Sequence, residues 1–567
     1  MSTPNKAILE TARWQVYRRL SASLDEHLRQ IRNFSPSDLK PDFATSLHDP
    51  MLLPDMEIAV DLIQKAKKSH WPVVIFGDYD ADGTPAAALL TLVFRRLDIK
   101  HQVILPTRAE GYGLKAETID SLPAETKLLI TVDTGITSVD EINLAKKRGM
   151  AVIVLDHHLP KSELPPADAL VDPFLVTSTY PFPYLCGCAL AYKLTVALQK
   201  HYPDQLSEGF VKWLLDLVAI STVADMMPLV GENRVLVHYG LKVLSKTRRL
   251  GLRALLVNAG IDGGGLTAGN VGYSIGPRLN ASGRLSDNRP AYELLITEDQ
   301  TEANRLATQI EQANQDRQRL VERILKEAGN ILFEQNDLSD RCFVLKGDDW
   351  PGGVLGLVAG KLAGRYYRPV IVTSVRGDEI SGSARSPLDY SIIDGLTEAG
   401  RYLDRFGGHK QAAGLTMSAA NWPKFVDVIK GHAKASLDPA DLLRSYQADA
   451  ILEESELTLS TAELCEQFQP FGLENPTPIF IVEGVELGQP RPLGSGEHLR
   501  FNARKNQLPL EVIGFNLRQR YEANPLTKAH LLGHLESNRW QGTTRLQLRL
   551  VDFQATDSQI EVLDGKK

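Results

Sequence analysis

The stretch "VVIFGDYDADG", residues 73–83, runs an apolar segment into three carboxylates at alternate positions, Asp78, Asp80 and Asp82. The nearest lysine or arginine in sequence is Lys68 before it and Arg95 after it. Carboxylates this crowded repel, so a counter-charge must come from elsewhere in the fold or from solution. The apolar run reads as a strand buried on both faces. Two later runs, "LLITV" (128–132) and "AVIVL" (151–155), have the same texture and also end on acid: Asp133, and Asp156 followed by His157 and His158. Helical stretches at residues 85–97 and 138–148 lie between them, so the alternation predicts βαβ units and a parallel sheet.

In an open parallel sheet the C-terminal strand edges line the functional crevice. Three adjacent strands would bring five carboxylates and two imidazoles together there. No lysine or arginine occurs from residue 128 to 145 or from 149 to 160 to neutralise them, and a further acid, Asp225, follows the helical run "VKWLLDLVAISTVAD". Oxygen-rich donors with some imidazole and no thiolate suit manganese or magnesium better than zinc. More than four donors point to two ions, and a pair of ions suits hydrolysis of a phosphoester or phosphoanhydride. Taken singly, Asp133 or Asp140 reads more readily as a helix N-cap, and paired histidines as structural. Acidic endings on three consecutive strands favour the metal site.

With 567 residues the chain is too long for one core, and several domains are expected. Hydrophobic residues at 43% and charged residues at 23% place it among soluble globular proteins. The net charge of −7 does not mark a nucleic-acid binder, but strand binding needs only a local basic surface. No segment approaches the roughly 20 apolar residues of a membrane helix, and the first residues lack a signal peptide's apolar core; the expectation is a cytoplasmic protein with no membrane contact. Cys186, Cys188, Cys342 and Cys465 are too few and scattered for a disulfide framework. Cys186-Gly-Cys188 lacks a second thiol pair and reads as a buried turn into a helix.

Further along, residues 301–334 form a long polar helical pattern without proline, expected to connect domains. A second α/β unit begins near Cys342, with "CFVLKG" and "PVIVTSV" as strands around the helix "GVLGLVAGKLAGRYY". From about residue 446 short strands broken by turns predict a small barrel or sandwich.

These motifs resemble the DHH phosphoesterase superfamily and, within it, the RecJ family of single-stranded-DNA-specific exonucleases. The resemblance rests on "GDYDADG" (77–83), "TVDTGI" (131–136), "DHHLP" (156–160), "TVADMMPL" (222–229) and "GPRLNASGRL" (276–285), in order. "GSAR" (382–385) and "RFGGHKQAAGL" (405–415) are similar to the DHH-associated domain, and "PFGLENPTPIF" (470–480) to the entry of the OB-fold domain. It implies an α/β fold: an N-terminal segment 1–50, a parallel-sheet DHH domain 51–300, a connecting helix 301–335, a smaller α/β DHH-associated domain 336–440 and a β-barrel OB-fold domain 446–567.

The activity it implies is 5′→3′ exonucleolytic hydrolysis of single-stranded DNA in repair and recombination, using two manganese or magnesium ions. The implied metal ligands are Asp80, Asp82, Asp133, His157 and Asp225, with Asp133 bridging. Asp78, Asp156 and His158 are the implied supporting residues, and Arg108, Arg278, Ser383, Arg385 and His409 the implied phosphate contacts. Implied partners are single-stranded DNA, a helicase and a single-strand-binding protein, with the chain a monomer. In the barrel region Arg491, Arg500, Arg504 and Lys505 suit a strand-gripping surface, while Phe501 reads equally as stacking platform or core.

The chain departs from the family pattern where Pro351 follows Trp350, where Thr134 follows Asp133, and at Pro85. None removes an implied ligand. Two rivals remain: another phosphodiesterase of the superfamily acting on short oligonucleotides or cyclic dinucleotides, and a non-catalytic DNA-binding replication factor. The barrel-like region argues against the first, and the retained carboxylates against the second.

Overall fold

The computed structural model describes residues 12–564 apart from 108–109, 112, 262–263, 286, 335–338, 388–389, 495 and 541. Two compact units result: Pro36–Arg317 with Phe468–Pro476, and the described parts of Met1–Ser35, Gln318–Gln467 and Thr477–Lys567.

The first unit is built on a five-stranded, all-parallel sheet in the order His101–Ile104, Val73–Gly77, Leu128–Val132, Ala151–Leu155, Ala169–Val171. Both faces are covered, as the continuous apolar runs require. Val73, Ile75, Ile130 and Leu155 share one core with the helices Met56–Lys68, Gly83–Leu97, Gly187–Gln199 and Leu215–Ala224. Val74, Phe76, Leu129 and Val154 face the other way, towards the helices Ala116–Ser121 and Val139–Lys147. Fully burying each such side chain is worth about 1.5–3 kcal/mol. Pro85 falls in the first turn of Gly83–Leu97, where its missing N–H costs no intrahelical bond.

Register positions the acids. Gly77 pairs with Val132, Val132 with Leu155 and Leu155 with Val171, so Asp78, Asp133, Asp156 and Asp172 emerge side by side from four consecutive strands. Ser138, not Asp133 or Asp140, is the N-cap of Val139–Lys147, which removes the capping explanation for both.

The helix Gln300–Glu334 begins and ends almost where the sequence predicts, and the boundary between units falls inside it, at Arg317. In the second unit a mixed sheet runs Arg405–Gly408, Ala412–Ser418, Glu379–Arg385, Val370–Arg376, Phe343–Asp348. Pro351 stands at the N-cap of the helix Gly352–Tyr366, a position that needs no N–H of its own. The C-terminal barrel joins Phe480–Leu487, Lys528–Trp540, Thr543–Gln554, Leu508–Gly514 and His498–Lys505, and closes when the last pairs with the first. Its edges are thereby removed.

Two expected boundaries shift. The segment 1–50 is not one piece: Arg13–Tyr17 is the central strand between Ser445–Ala448 and Ile560–Leu563, while residues from Pro36 belong to the first unit. The physical reason is the alternation of buried Trp14 and Val16, with Trp14 Nε1 donating to Asp552 Oδ2 at 2.8 Å. The stretch Phe468–Pro476, expected within the barrel domain, also belongs to the first unit: Leu229 N donates to Leu473 O at 2.9 Å, and Arg234 Nη1 to Phe468 O at 2.7 Å. Among the described residues, no helix is long and apolar enough to cross a membrane.

Candidate metal centre

Asp133 leaves its buried strand with φ +59°, a left-handed conformation that a non-glycine residue adopts only where the surroundings hold it. The space beside it exists because residue 187 is glycine: a Cβ there would lie 2.6 Å from Asp133 Cβ. Gly187 opens the helix Gly187–Gln199, and its first amides hold Asp82, with Gly187 N donating to Oδ2 at 2.6 Å and Cys188 N to Oδ1 at 2.8 Å. The helix N-terminus thus supplies part of the positive charge that the local sequence lacks. Asp80 is ordered by its own turn, its Oδ1 accepting from Asp82 N at 2.8 Å and Gly83 N at 3.1 Å.

His157 Nε2 faces three carboxylates: Asp133 Oδ1 at 3.0 Å, Asp225 Oδ2 at 3.6 Å and Asp82 Oδ2 at 3.7 Å. Burial lowers its pKa, against the pull of Asp82. Asp156 lies beneath both histidines. Its Oδ1 accepts from His157 N at 2.8 Å and pairs with His158 Nδ1 at 2.7 Å, and its Oδ2 accepts from Ile136 N at 2.9 Å. Burial opposes ionisation of Asp156, but those donors outweigh it and the carboxyl is held below its ordinary value. Burial also works against a charged His158, yet the Asp156 bond and the acids around it push the ring up to about 9.

The remaining acids go the other way. Burial raises Asp82 and Asp133, and Asp133 is raised further by Asp82, Asp80, Asp225 and Asp78. Asp225 is pushed up to about 9 by burial and then by Asp82 and Asp80. Its Oδ2 is buried without a hydrogen bond. Carboxylates that destabilise one another in this way are stabilised together by a cation. Three groups have donor atoms within 4.8 Å of one another: Asp78, Asp80 and Asp133; Asp82, His157 and Asp225; and Asp133, His157 and His158. These residues fit divalent cations in donor type and in number, and Asp133 and His157 are shared between groups.

A cavity of about 350 Å³ is lined by Asp78, Tyr79, Asp80, Asp133, His158 and Asp225 together with Asn280, Gly283 and Arg284. Asp78 lies in one donor group with Asp80 and Asp133, so nothing in the geometry sets it behind them. Two residues escaped the sequence reading. Asp172 ends the fourth strand, is buried with Oδ2 unbonded, and is pushed up to about 7 by burial; the run "ALVD" carried the same signal in a shorter strand. Arg284 lines the cavity, whereas Arg278 is engaged elsewhere, by Glu311 Oε2 at 2.6 Å and Ser274 O at 2.9 Å.

Among the other implied phosphate contacts, Arg108 lies outside the described residues. Ser383 and Arg385 share the strand Glu379–Arg385, with Arg385 Nη1 donating to Ser383 Oγ at 3.0 Å. Ala412 pairs with Arg385, which brings the turn carrying exposed His409 to that strand's end. Gly356 makes room there, since a Cβ would come within 2.9 Å of Arg385 Nη2. Cys186 and Cys188 are buried at the start of their helix, as the sequence suggested.

Residues 72–222 match the DHH family N-terminal domain, 339–435 the DHHA1 domain and 448–552 the RecJ OB domain. The chain is 34% identical to the single-stranded-DNA-specific exonuclease RecJ of Haemophilus influenzae, over 90% of this chain and 92% of that one. It is 35% identical to the Bacillus subtilis RecJ, over 92% of this chain but 66% of that longer protein. The crystal structure of Thermus thermophilus RecJ with Mn2+ superposes with a TM-score of 0.82 at 29% identity, covering 97% of this chain and 80% of that one. The Mg2+ complex of the same protein gives a TM-score of 0.76 at 27% identity, covering 97% and 79%. The chain belongs to the RecJ family of single-stranded-DNA-specific exonucleases.

Proposed function

We propose that this chain hydrolyses the phosphodiester bonds of single-stranded DNA from the 5′ end, in DNA repair and recombination, with two manganese or magnesium ions held by Asp80, Asp82, Asp133, His157 and Asp225. Asp78 takes part from the same side as Asp80. The observation that carries this reading is one cavity in which mutually repelling carboxylates meet Arg284 and Asn280. Divalent ions supply Lewis acidity there, acidifying water and offsetting the charge that builds on phosphate oxygens.

The protein's own groups divide the remaining work. Burial lowers the His157 pKa and so favours the neutral ring, whose Nε2, 3.0 Å from Asp133 Oδ1, would offer its lone pair to a cation held among these carboxylates. His158, tied at Nδ1 to Asp156, keeps Nε2 as a donor for a phosphate or leaving oxygen. Arg284 offers a planar fork to the phosphate. Burial pushes the Cys186 and Cys188 thiols up, so neither serves as a nucleophile. The outward residues of the barrel strand His498–Lys505, Arg500 and Arg504, suit a strand followed by its backbone charge. In the cell the reading places the protein in the cytoplasm as a monomer, taking its strand from a helicase or a single-strand-binding protein.

Single strands labelled at the 5′ or the 3′ end, incubated with the protein and manganese, test the reading. Immediate release of labelled mononucleotide from the 5′ label is the expected result, with blunt duplex left intact. Immediate release from the 3′ label alone would refute the direction, and equal attack on duplex would refute the strand preference.

A further inference from the structure

Asn288 stands at the N-cap of the helix Arg289–Ile296, where an Asn side chain ordinarily accepts a hydrogen bond from the helix's own first amides. Here it makes no such bond. The backbone carbonyl of Asn288 and the side chain of Asp287 serve those amides instead, the latter taking Arg289 N at 2.9 Å. The Asn288 side chain is fully buried and turned to another task. Nδ2 donates to Tyr79 O at 2.7 Å and to Thr84 Oγ1 at 2.8 Å, and Oδ1 accepts from Ser282 Oγ at 2.7 Å.

Tyr79 lines the cavity, and the other two partners stand on helices that adjoin its lining residues or the acidic loop. Tyr79 lies between Asp78 and Asp80 in the acidic loop. Thr84 is in the first turn of the helix Gly83–Leu97, directly after Asp82. Ser282 is on the helix Gly276–Leu285, which carries Asn280 and Arg284. The two walls approach so closely that a Cβ at Gly283 would lie 3.2 Å from both Tyr79 O and Asn288 Cβ. Loop and helix therefore touch through the Asn288 amide.

We propose that Asn288 is a positioning residue of the metal centre, fixing the Asp78–Asp82 loop against the helix that carries Arg284. The inference rests on the reading of the cavity as a site for divalent ions and a phosphate. Loss of the amide removes its bond to the Tyr79 carbonyl, so more of the ordering of the carboxylates on either side must be done when a cation binds. The distance from those carboxylates to Arg284 is no longer set in advance, which weakens strand binding as well.

Calorimetric titration of the full-length protein with Mn2+ tests this without recourse to catalysis. Asn288→Ala is expected to weaken Mn2+ binding about tenfold or more, the usual range for loss of a group that orients a ligand. Cleavage of a single strand should fall at limiting Mn2+ and recover with excess, while KM for the strand stays raised. Ser282→Ala keeps both donors but frees the amide to turn; it should shift Mn2+ affinity in the same direction by about threefold, and it stands in if the alanine variant at 288 does not fold. Unchanged Mn2+ affinity in a folded Asn288→Ala or in Ser282→Ala, with only thermal stability reduced, would overturn the proposal. A wild-type protein that binds Mn2+ but leaves single strands intact would refute the nuclease reading, while the calorimetric shift would still support the clamp.

Discussion

The strand-edge cluster and the barrel unit both bury carboxylates, but they handle the charge in opposite ways. In the barrel unit Asp449 is buried with Arg32 Nη2 at 3.0 Å from both its oxygens, and Asp552 with Arg520 and Trp14 Nε1. Burial raises both, and the next largest influence is the arginine pulling the carboxyl back down. At Asp133 burial also comes first, but every further influence is another carboxylate pushing the same way. A buried acid matched by a cation from a distant part of the chain is a tertiary link. One surrounded by other acids has its counter-charge left to a ligand.

The largest effect should separate the two kinds in opposite directions. Asp133→Asn is expected to reduce cleavage by about a thousandfold or more, some 4 kcal/mol of transition-state stabilisation, without lowering the unfolding temperature measured in chelator. Asp449→Ala should instead destabilise the folded protein by about 3–5 kcal/mol, because the buried Arg32 loses the carboxylate that balances its charge. A metal-free Asp133→Asn protein that melts as early as Asp449→Ala would break the comparison, since Asp133 would then be a structural acid.

Histidines repeat the contrast. His158, among acids, is pushed up to about 9, whereas His534 is taken down to about 4 by burial and then by Arg549. For His534 the folded value lies below the ordinary one near 6.5, so as pH falls the unfolded chain takes its proton first. Its contribution is complete above about pH 6.5 and is lost as pH falls through about 4, a change of up to about 3 kcal/mol. Unfolding temperatures in chelator between pH 7 and 4.5 should fall more steeply for the wild type than for His534→Gln. Matching profiles would show that this ring is not the group that titrates.

What was legible in the sequence was local. Each apolar run ending on acid is a strand in the structure, because strand, register and edge chemistry are all written within some ten residues. Asp172 was passed over because its strand, Ala169–Val171, is three residues long and too short to show a pattern. The choice of Arg278 over Arg284 shows a different limit. Six residues on a helix put side chains about 240° apart, so the two point to different faces. Asn280 and Arg284, four apart, share the one that meets the cavity. A π-helical turn at Val271–Ile275 directly precedes that helix and shifts its phase, which residue spacing does not reveal. The strand Arg13–Tyr17 was unreadable for a third reason: both its partners lie more than 400 residues away.

The smallest expected effect brings the same comparison onto one strand of the barrel, where the sequence left Phe501 open between stacking platform and core. Phe501 is buried, its ring 5.0 Å from that of Tyr521, while Arg504 is exposed. Phe501→Ala should therefore cost about 3–5 kcal/mol of stability through the cavity it leaves. Arg504→Ala should leave stability within about 0.5 kcal/mol and weaken single-strand binding only a few-fold, with the salt dependence of the binding constant reduced by about 0.7, one phosphate contact on a single strand. Fluorescence anisotropy across a salt series measures both quantities. An unchanged slope would mean that the strand follows another face of the barrel, and a large loss of affinity in a well-folded Phe501→Ala would return that ring from the core to the strand.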